Sequence, residues 1–312
     1  MAGHTSGTEP APAHARTQAA PPLARSPART ADDVSLSAAA QASAENFPVA
    51  LRILPARYRR HLMALYGFAR LTDDIGDEVS PEVRLRLLDE LEADVRRCYG
   101  GGSPQLAARW EPALRELAVT VAQCDIPAQP LLDLIQANRQ DQLVTRYETF
   151  EDLAGYCRLS ANPVGRVVLH IFGAASPVRE QLSDSICTAL QLAEHWQDVA
   201  EDLGKGRIYL PRADRDKFGV SERDLAAPVT GRQVRALIAY EVARASALLD
   251  EGAPLVGTLR GAARVAVAGY LAGGRAALAA ITASGHDVLA VTPRPDHRVT
   301  ARLAIQAYLR GR

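Results

Sequence analysis

Lysine is nearly absent from this chain. Of 36 basic residues only Lys205 and Lys217 are lysines, and the rest are arginines, a bias that carries little functional weight by itself. Acids also number 36, so the formal net charge is zero and no global field draws the protein to nucleic acid or to an anionic bilayer. Cysteine is sparse too: Cys98, Cys124, Cys157 and Cys187 are dispersed and form no CxxC pair. That spacing offers neither a zinc site nor a small disulfide framework, and reads as reduced thiols in a cytoplasmic protein. No apolar run reaches the length of a membrane span; "VAVAGYLAGG", between Arg264 and Arg275, is too short to cross a bilayer. No G-x-G-x-x-G phosphate loop and no fixed-period repeat occurs. A dinucleotide fold and a solenoid are therefore unsupported, and the expectation is a soluble protein, at most peripheral to a membrane.

What is present is apolar and helix-forming. Hydrophobic residues make up 47% of 312, ample for a core, although aromatics contribute only 5%. Ala, Leu and Arg abound while β-branched runs are short, which favours an all-α fold. Residues 1–34 are rich in Pro, Ala, Ser and Thr and lack the apolar stretch of a secretory signal, so they read as a disordered tail. The remainder, 35–312, reads as one compact helical domain. Helices are expected over 56–77, 81–98, 111–124, 128–144, 149–173, 178–203, 230–251, 257–284 and 297–309. Pro81 suits a first helical position after Ser80, and Thr149, Ser176 and Thr230 are candidate N-caps. Pro163, in "SANPVGR", should kink or break its helix.

Two acidic clusters stand out. "FARLTDDIGDE" holds Asp73, Asp74, Asp77 and Glu78, with Asp73 and Asp77 one helical turn apart. "LQLAEHWQDVAEDLGKGRIYLP" places Glu194, Asp198 and Asp202 four apart, with Gln191 three residues before the first. Like charges at that spacing repel by a few tenths of a kcal/mol per pair. Either water screens them on a solvated face or a cation lies between them. Both clusters sit amid apolar flanks, where unneutralised acids are costly, so the cation reading is preferred. Oxygen ligands of this kind suit Mg²⁺ shared with substrate phosphates. Lys205 and Arg207 follow directly: they either complement a helix C-terminus or grip a diphosphate, and the flanking glycines favour the second reading.

At these residues the chain resembles the squalene and phytoene synthases, over roughly residues 43 to 290. "YGFARLTDDIGDE" looks like that family's first aspartate-rich motif, and "LQLAEHWQDVAEDLGKGRIYLP" like its second. "ENFPVA", "RQDQLVTRYETFEDLAGYCRLSANPVGR" and "HWQDV" resemble the hopanoid-pathway branch of the HpnC type, which turns presqualene diphosphate into hydroxysqualene. The resemblance implies an isoprenoid-synthase helical bundle with a central cavity and Mg²⁺ as cofactor. The implied metal ligands are Asp73, Asp77, Asp198 and Asp202, with Glu194 where most members carry Asn. Arg70 and Tyr66 would face the diphosphate, with Gln191, Lys205, Arg207 and Arg264 as further contacts. Phe47, Val164, Gly165 and Leu192 would line an apolar tunnel. The implied partners are a prenyl diphosphate, presqualene or farnesyl, and other enzymes of the squalene pathway, with no nucleic acid.

The implied reaction is metal-assisted ionisation of presqualene diphosphate, with water quenching the cation. Head-to-head condensation of two prenyl diphosphates, which Gln197 and "SANPVGR" argue against, and a non-catalytic scaffold of the same fold are the rivals. Trp196 is expected in the core, and His61 and His170 as packed or surface histidines. Tyr147, Tyr156 and Tyr209 each could supply a hydroxyl. The basic helix from His297 either packs on the bundle or touches a membrane.

Overall fold

The computed structural model describes residues 54–100 and 106–310, so the 1–34 tail and Phe47 lie outside the described residues. Among those residues the regular structure is helical, apart from one isolated parallel bridge between Arg146 and Ile208. The longer helices are α1 (Ala56–Asp77), α2 (Pro81–Arg97), α3 (Glu111–Cys124), α4 (Ala128–Asp141), α5 (Phe150–Ser160), α6 (Asn162–Ile171) and α7 (Pro177–Gln197). There follow three short segments, α8 (Val199–Gly204), α9 (Arg212–Phe218) and α10 (Glu222–Leu225). The chain then forms α11 (Arg232–Gly252), α12 (Leu255–Thr258), α13 (Gly261–Ala283) and α14 (His297–Arg310). The all-α expectation holds.

Local chemistry sets several of these boundaries. Thr149 and Asp152 form a reciprocal capping box at the start of α5, and Ser176 accepts from the Arg179 amide at the start of α7. Pro163 falls in the first turn of α6, where its missing N–H is harmless, and so divides the expected 149–173 helix in two. The expected 178–203 helix is likewise divided: Asp198 leaves helical geometry at ψ 18° between α7 and α8, although Asp202 N still bonds Asp198 O at 2.8 Å. One expected cap fails: Gly231 caps α11, while Thr230 Oγ1 instead donates to Asp287. Ser80 stands at the N-cap position of α2 but makes no capping bond and donates to Glu82.

Two apolar clusters form the core. One gathers α1–α4 around Phe68, Leu88, Leu114 and Leu131; the other gathers α5, α7, α11 and α13 around Trp196, Leu237 and Leu271. Burying a side chain such as Phe68 (0% exposed) stabilises by about 2–3 kcal/mol. Trp196 lies in the core, as expected, and His61 is buried with Nδ1 2.9 Å from Thr120 Oγ1. α13, 23 residues long, is apolar enough by length and composition to cross a bilayer, contrary to the reading of its apolar stretch as too short. Most of its apolar window is buried, packed against α11 and α14. α6 and α13 contribute to both clusters, and the cavity described next runs along that seam.

Candidate active site

A cavity of about 240 Å³ opens between the two clusters. Its wall changes character along two helices. α1 contributes Leu62 and Leu65, then Tyr66 and Arg70, then Asp73; α7 contributes Ile186 and Leu190, then Gln191 and Glu194. Both helices therefore run from an apolar end to a polar end, over ~16 Å of rise on α1 and ~12 Å on α7. The spacing of these side chains at three and four residues keeps each set on one face.

The polar end gathers three helix C-termini. α1 ends at Asp77, α4 at Asp141 and α7 at Gln197, and each terminus adds partial negative charge to the carboxylates there. Asp73 is exposed to the cavity, yet the protein around it reduces its contact with bulk water. That desolvation pushes its pKa up to about 7, with Asp77 and Asp141 adding to the rise, and the Asn138 amide (3.1 Å) and Arg70 opposing it. Asp141 is pushed up to about 6 by burial, against a 2.7 Å hydrogen bond donated by Tyr156 Oη and the charge of Arg207. Burial also raises Asp198, and Glu201 and Asp202 raise it further. Repulsion of this kind is relieved by a cation.

The protein supplies some positive charge itself. Arg207 Nη2 lies 2.8 Å from Asp77 Oδ1, and Arg70 Nη2 lies 2.8 Å from Asp74 and 2.9 Å from Glu78. Gly206, at φ +80°, turns the chain after α8 in the left-handed region open to glycine, and the Arg207 amide then bonds back to Asp202 O at 2.8 Å. Lys205 pairs with Glu201 at 2.9 Å. Among the described residues no three carboxylate, imidazole or thiol groups converge into a ready-made metal cage. The donor set is oxygen-rich, and burial raises its Asp73 and Asp198 carboxylates even though Arg70 opposes the first rise and His195 and Lys205 the second. These features fit Mg²⁺ held by one or two carboxylates at a time and completed by substrate phosphate.

The expected site residues divide as follows. Tyr66, Arg70, Asp73, Val164, Gly165, Gln191 and Glu194 all line the cavity. Asp77 and Arg207 meet at its rim through their ion pair, with Asp73 coupled to Asp77. Asp202 lies 3.8 Å from His195 Nδ1 and, like Asp198, stands on the α7–α8 side rather than in the cavity wall. Three expectations are corrected. Leu192 is fully buried in the core, because it lies about 200° round the helix from Leu190, which takes the cavity position. Arg264 is turned away as well: it donates to Tyr308 O at 2.6 Å, with its guanidinium 4.7 Å from the Tyr308 ring centroid. Lys205 is exposed and outside the cavity wall.

The structure adds residues that sequence reasoning passed over. Asp141 is the centre of an aromatic cluster: Tyr156 and Tyr209 donate to it at 2.7 and 3.4 Å, and Tyr147 stacks on Tyr209 at 5.7 Å. His195 stacks on Tyr209 at 3.6 Å and lies 3.3 Å from Gln191 Nε2, joining this cluster to the cavity wall. Two of the three tyrosines singled out separately thus share one carboxylate, while the Tyr147 hydroxyl accepts from Gln140 Nε2 at 3.5 Å. The available signal was Asp141 itself, an acid at the end of an otherwise apolar-faced helix.

Comparison with known proteins follows from this geometry. A sequence model of the squalene/phytoene synthase family matches residues 40–304. The hydroxysqualene synthase of Rhodopseudomonas palustris is 35% identical over 219 residues, covering 69% of this chain and 72% of that protein. The squalene synthase HpnC of Alicyclobacillus acidocaldarius superposes with a TM-score of 0.69 at 45% identity, over 75% of this chain and 86% of that one. A dehydrosqualene synthase crystallised with a ligand superposes with a TM-score of 0.78 over 88% of this chain and 95% of that one, and at 24% identity it speaks for the fold alone.

Proposed function

The chain belongs to the squalene/phytoene synthase family, and we propose that it ionises presqualene diphosphate and captures the cation with water, releasing hydroxysqualene and diphosphate. The observation that carries this reading is the cavity whose apolar wall gives way, along α1 and α7 together, to Arg70, Asp73, Gln191 and Glu194. Relatives named hydroxysqualene synthase support the choice of product.

In this reading Asp73 and Asp77 from α1, with Glu194, Asp198 and Asp202 from α7–α8, would hold Mg²⁺, which when bound would supply positive charge for the departing diphosphate. Arg70 on α1 and Arg207 at the rim direct further positive charge to the phosphate oxygens, and Lys205 adds to that rim. Tyr66 and Gln191 orient the head of the substrate where polar wall meets apolar wall. Leu62, Leu65, Val164 and Leu190 enclose the prenyl chains and keep bulk water from the cation. Asn138 ties the C-terminal part of α4 to α1 by donating to Asp73, while Tyr156 and Tyr209 fix Asp141 at the end of the same helix.

The reading extends to the bilayer in which such a substrate dissolves. α14 carries Arg298, Arg302, Ile305 and Leu309 on its exposed side, with Ile305 61% and Leu309 52% exposed, while Ala307 packs inward. Basic and apolar side chains so arranged suit peripheral contact with an anionic lipid surface. Replacing Ile305 and Leu309 by serine, which leaves Ala307 in place, is expected to reduce co-sedimentation with phosphatidylglycerol vesicles.

The deciding assay is purified protein with presqualene diphosphate and Mg²⁺, without NADPH. Hydroxysqualene is the expected product. Condensation of farnesyl diphosphate with no turnover of presqualene diphosphate would overturn the proposal in favour of a head-to-head synthase, and no binding of either would favour a scaffold.

A further inference from the structure

Ser160 is the last residue of α5, at the bend before Pro163, and it borders the cavity where the neighbouring wall is Ala161, Val164, Val168 and Leu169. In its present rotamer the Oγ has essentially no accessible surface, to the cavity or to outside solvent, and it makes no hydrogen bond among the described residues. A helical hydroxyl ordinarily bonds the carbonyl four residues back. Others in this chain do so: Thr72 to Phe68 O at 2.8 Å, Thr282 to Leu278 O at 3.0 Å and Ser185 to Gln181 O at 3.4 Å. Ser160 alone of these leaves its donor and both lone pairs unused, against an apolar surface. The other serine on the wall, Ser183, is already engaged with Cys187 Sγ at 3.9 Å, and both sit against Gly165, where a Cβ would collide with them.

An unused hydroxyl bordering an apolar cavity is costly unless something in the cavity completes it. The reaction proposed above needs such an occupant. A water molecule enclosed with a carbocation requires a polar partner to hold it, since apolar walls alone leave cavities dry. We propose that Ser160, turned by rotation about χ1 into the cavity, holds the water that quenches the cation, and so makes the product an alcohol; this rests on the hydroxysqualene reading. The carbon–oxygen bond to diphosphate breaks with its electron pair leaving on diphosphate, and the cyclopropylcarbinyl cation rearranges with cleavage of a ring carbon–carbon bond. A water donating one hydrogen bond to Ser160 Oγ presents a lone pair to the cation, the new carbon–oxygen bond forms, and the released proton passes to the departed diphosphate. Ser160 is a positioning residue: it exchanges no proton and forms no covalent bond.

The test measures diphosphate release and product partition separately, with presqualene diphosphate and Mg²⁺. Ser160→Ala and Ser160→Val are expected to release diphosphate within about twofold of the parent rate, because ionisation occurs at the polar end. The ratio of hydroxysqualene to hydrocarbons formed by proton loss is expected to fall about fivefold, the effect of one neutral hydrogen bond on competing rates. Ser160→Thr, which keeps the hydroxyl, is expected to restore the alcohol. An unchanged product ratio in the alanine and valine variants overturns the role of Ser160, as does a loss of rate with no change in ratio. If the parent protein releases diphosphate but yields no hydroxysqualene, the functional reading itself has failed, an outcome distinct from either of these.

Discussion

Glu241 lies in the middle of α11, 0% exposed and remote from the cavity wall, and its replacement by glutamine makes a quantitative prediction. Its Oε2 accepts from Arg244 Nη1 at 3.1 Å, and the same nitrogen reaches Asp214 Oδ2 at 2.9 Å. Glu241 Oε1 finds no donor among the described residues. Burial is the main cause pushing the Glu241 carboxyl from its ordinary 4.5 up to about 8, with Asp214 adding to the rise and Arg244 opposing it. The folded protein therefore binds this proton more tightly than the unfolded chain does. Between pH 4.5 and about 8 the folded state holds a proton that the unfolded state has released, so this group's contribution to stability falls as pH rises across that window. The slope approaches 1.4 kcal/mol per pH unit, with a ceiling on the order of 5 kcal/mol by the alkaline end. Glu241→Gln keeps the volume, offers an amide donor toward Asp214, leaves Arg244 paired with Asp214, and removes the titration. Urea titrations from about pH 5 to about pH 9 should show the variant gaining on the parent protein steadily with pH, and surpassing it at the alkaline end. Parallel stability–pH curves for the two proteins would refute the reasoning, because they would mean that Glu241 titrates equally in folded and unfolded chains.

Three further outcomes follow from the placement of side chains around the cavity. Leu192→Ala should lower unfolding stability by about 2–5 kcal/mol while leaving the product profile intact, whereas Leu190→Ala should alter the profile at smaller stability cost; chromatography of products alongside urea melts distinguishes them. Arg264→Ala should reduce the melting temperature, since Tyr308 O and the Tyr308 ring lose their partner, yet leave the KM for the diphosphate substrate within about twofold, as steady-state kinetics will check. Glu194→Asn removes one negative charge from the polar end and should preserve activity or raise it, with a retained Mg²⁺-dependent thermal shift in the presence of a diphosphate analogue.

How far the site could be read from sequence depends on whether its cause is local. The capping box of Thr149 with Asp152, the break at Pro163 and the period that places Tyr66, Arg70 and Asp73 on one face are all decided within a few residues, and all were legible. Leu192 was misplaced because the second motif runs through it in sequence while the helix turns it to the core; Leu190 and Gln191 face the cavity in its stead. Arg264 was misplaced because its partner, Tyr308, is 44 residues away, beyond any local pattern. Asp141 illustrates the deeper reason. Within α4 it is one acid at a helix end, where the helix dipole merely makes it unfavourable. Only the packed fold brings that end beside the ends of α1 and α7, couples Asp141 to Asp73 and Asp77, and sets Tyr156, Tyr209 and Arg207 around it. Where the three termini meet, burial raises Asp73 to about 7 and Asp141 to about 6, and repulsion among the neighbouring acids adds to both rises, so a cation among them is favoured. The acidic motifs are thus two parts of an acidic end built from three helices, and Asp141, which lies inside the "RQDQLVTRYETFEDLAGYCRLSANPVGR" stretch without standing out there, is the third.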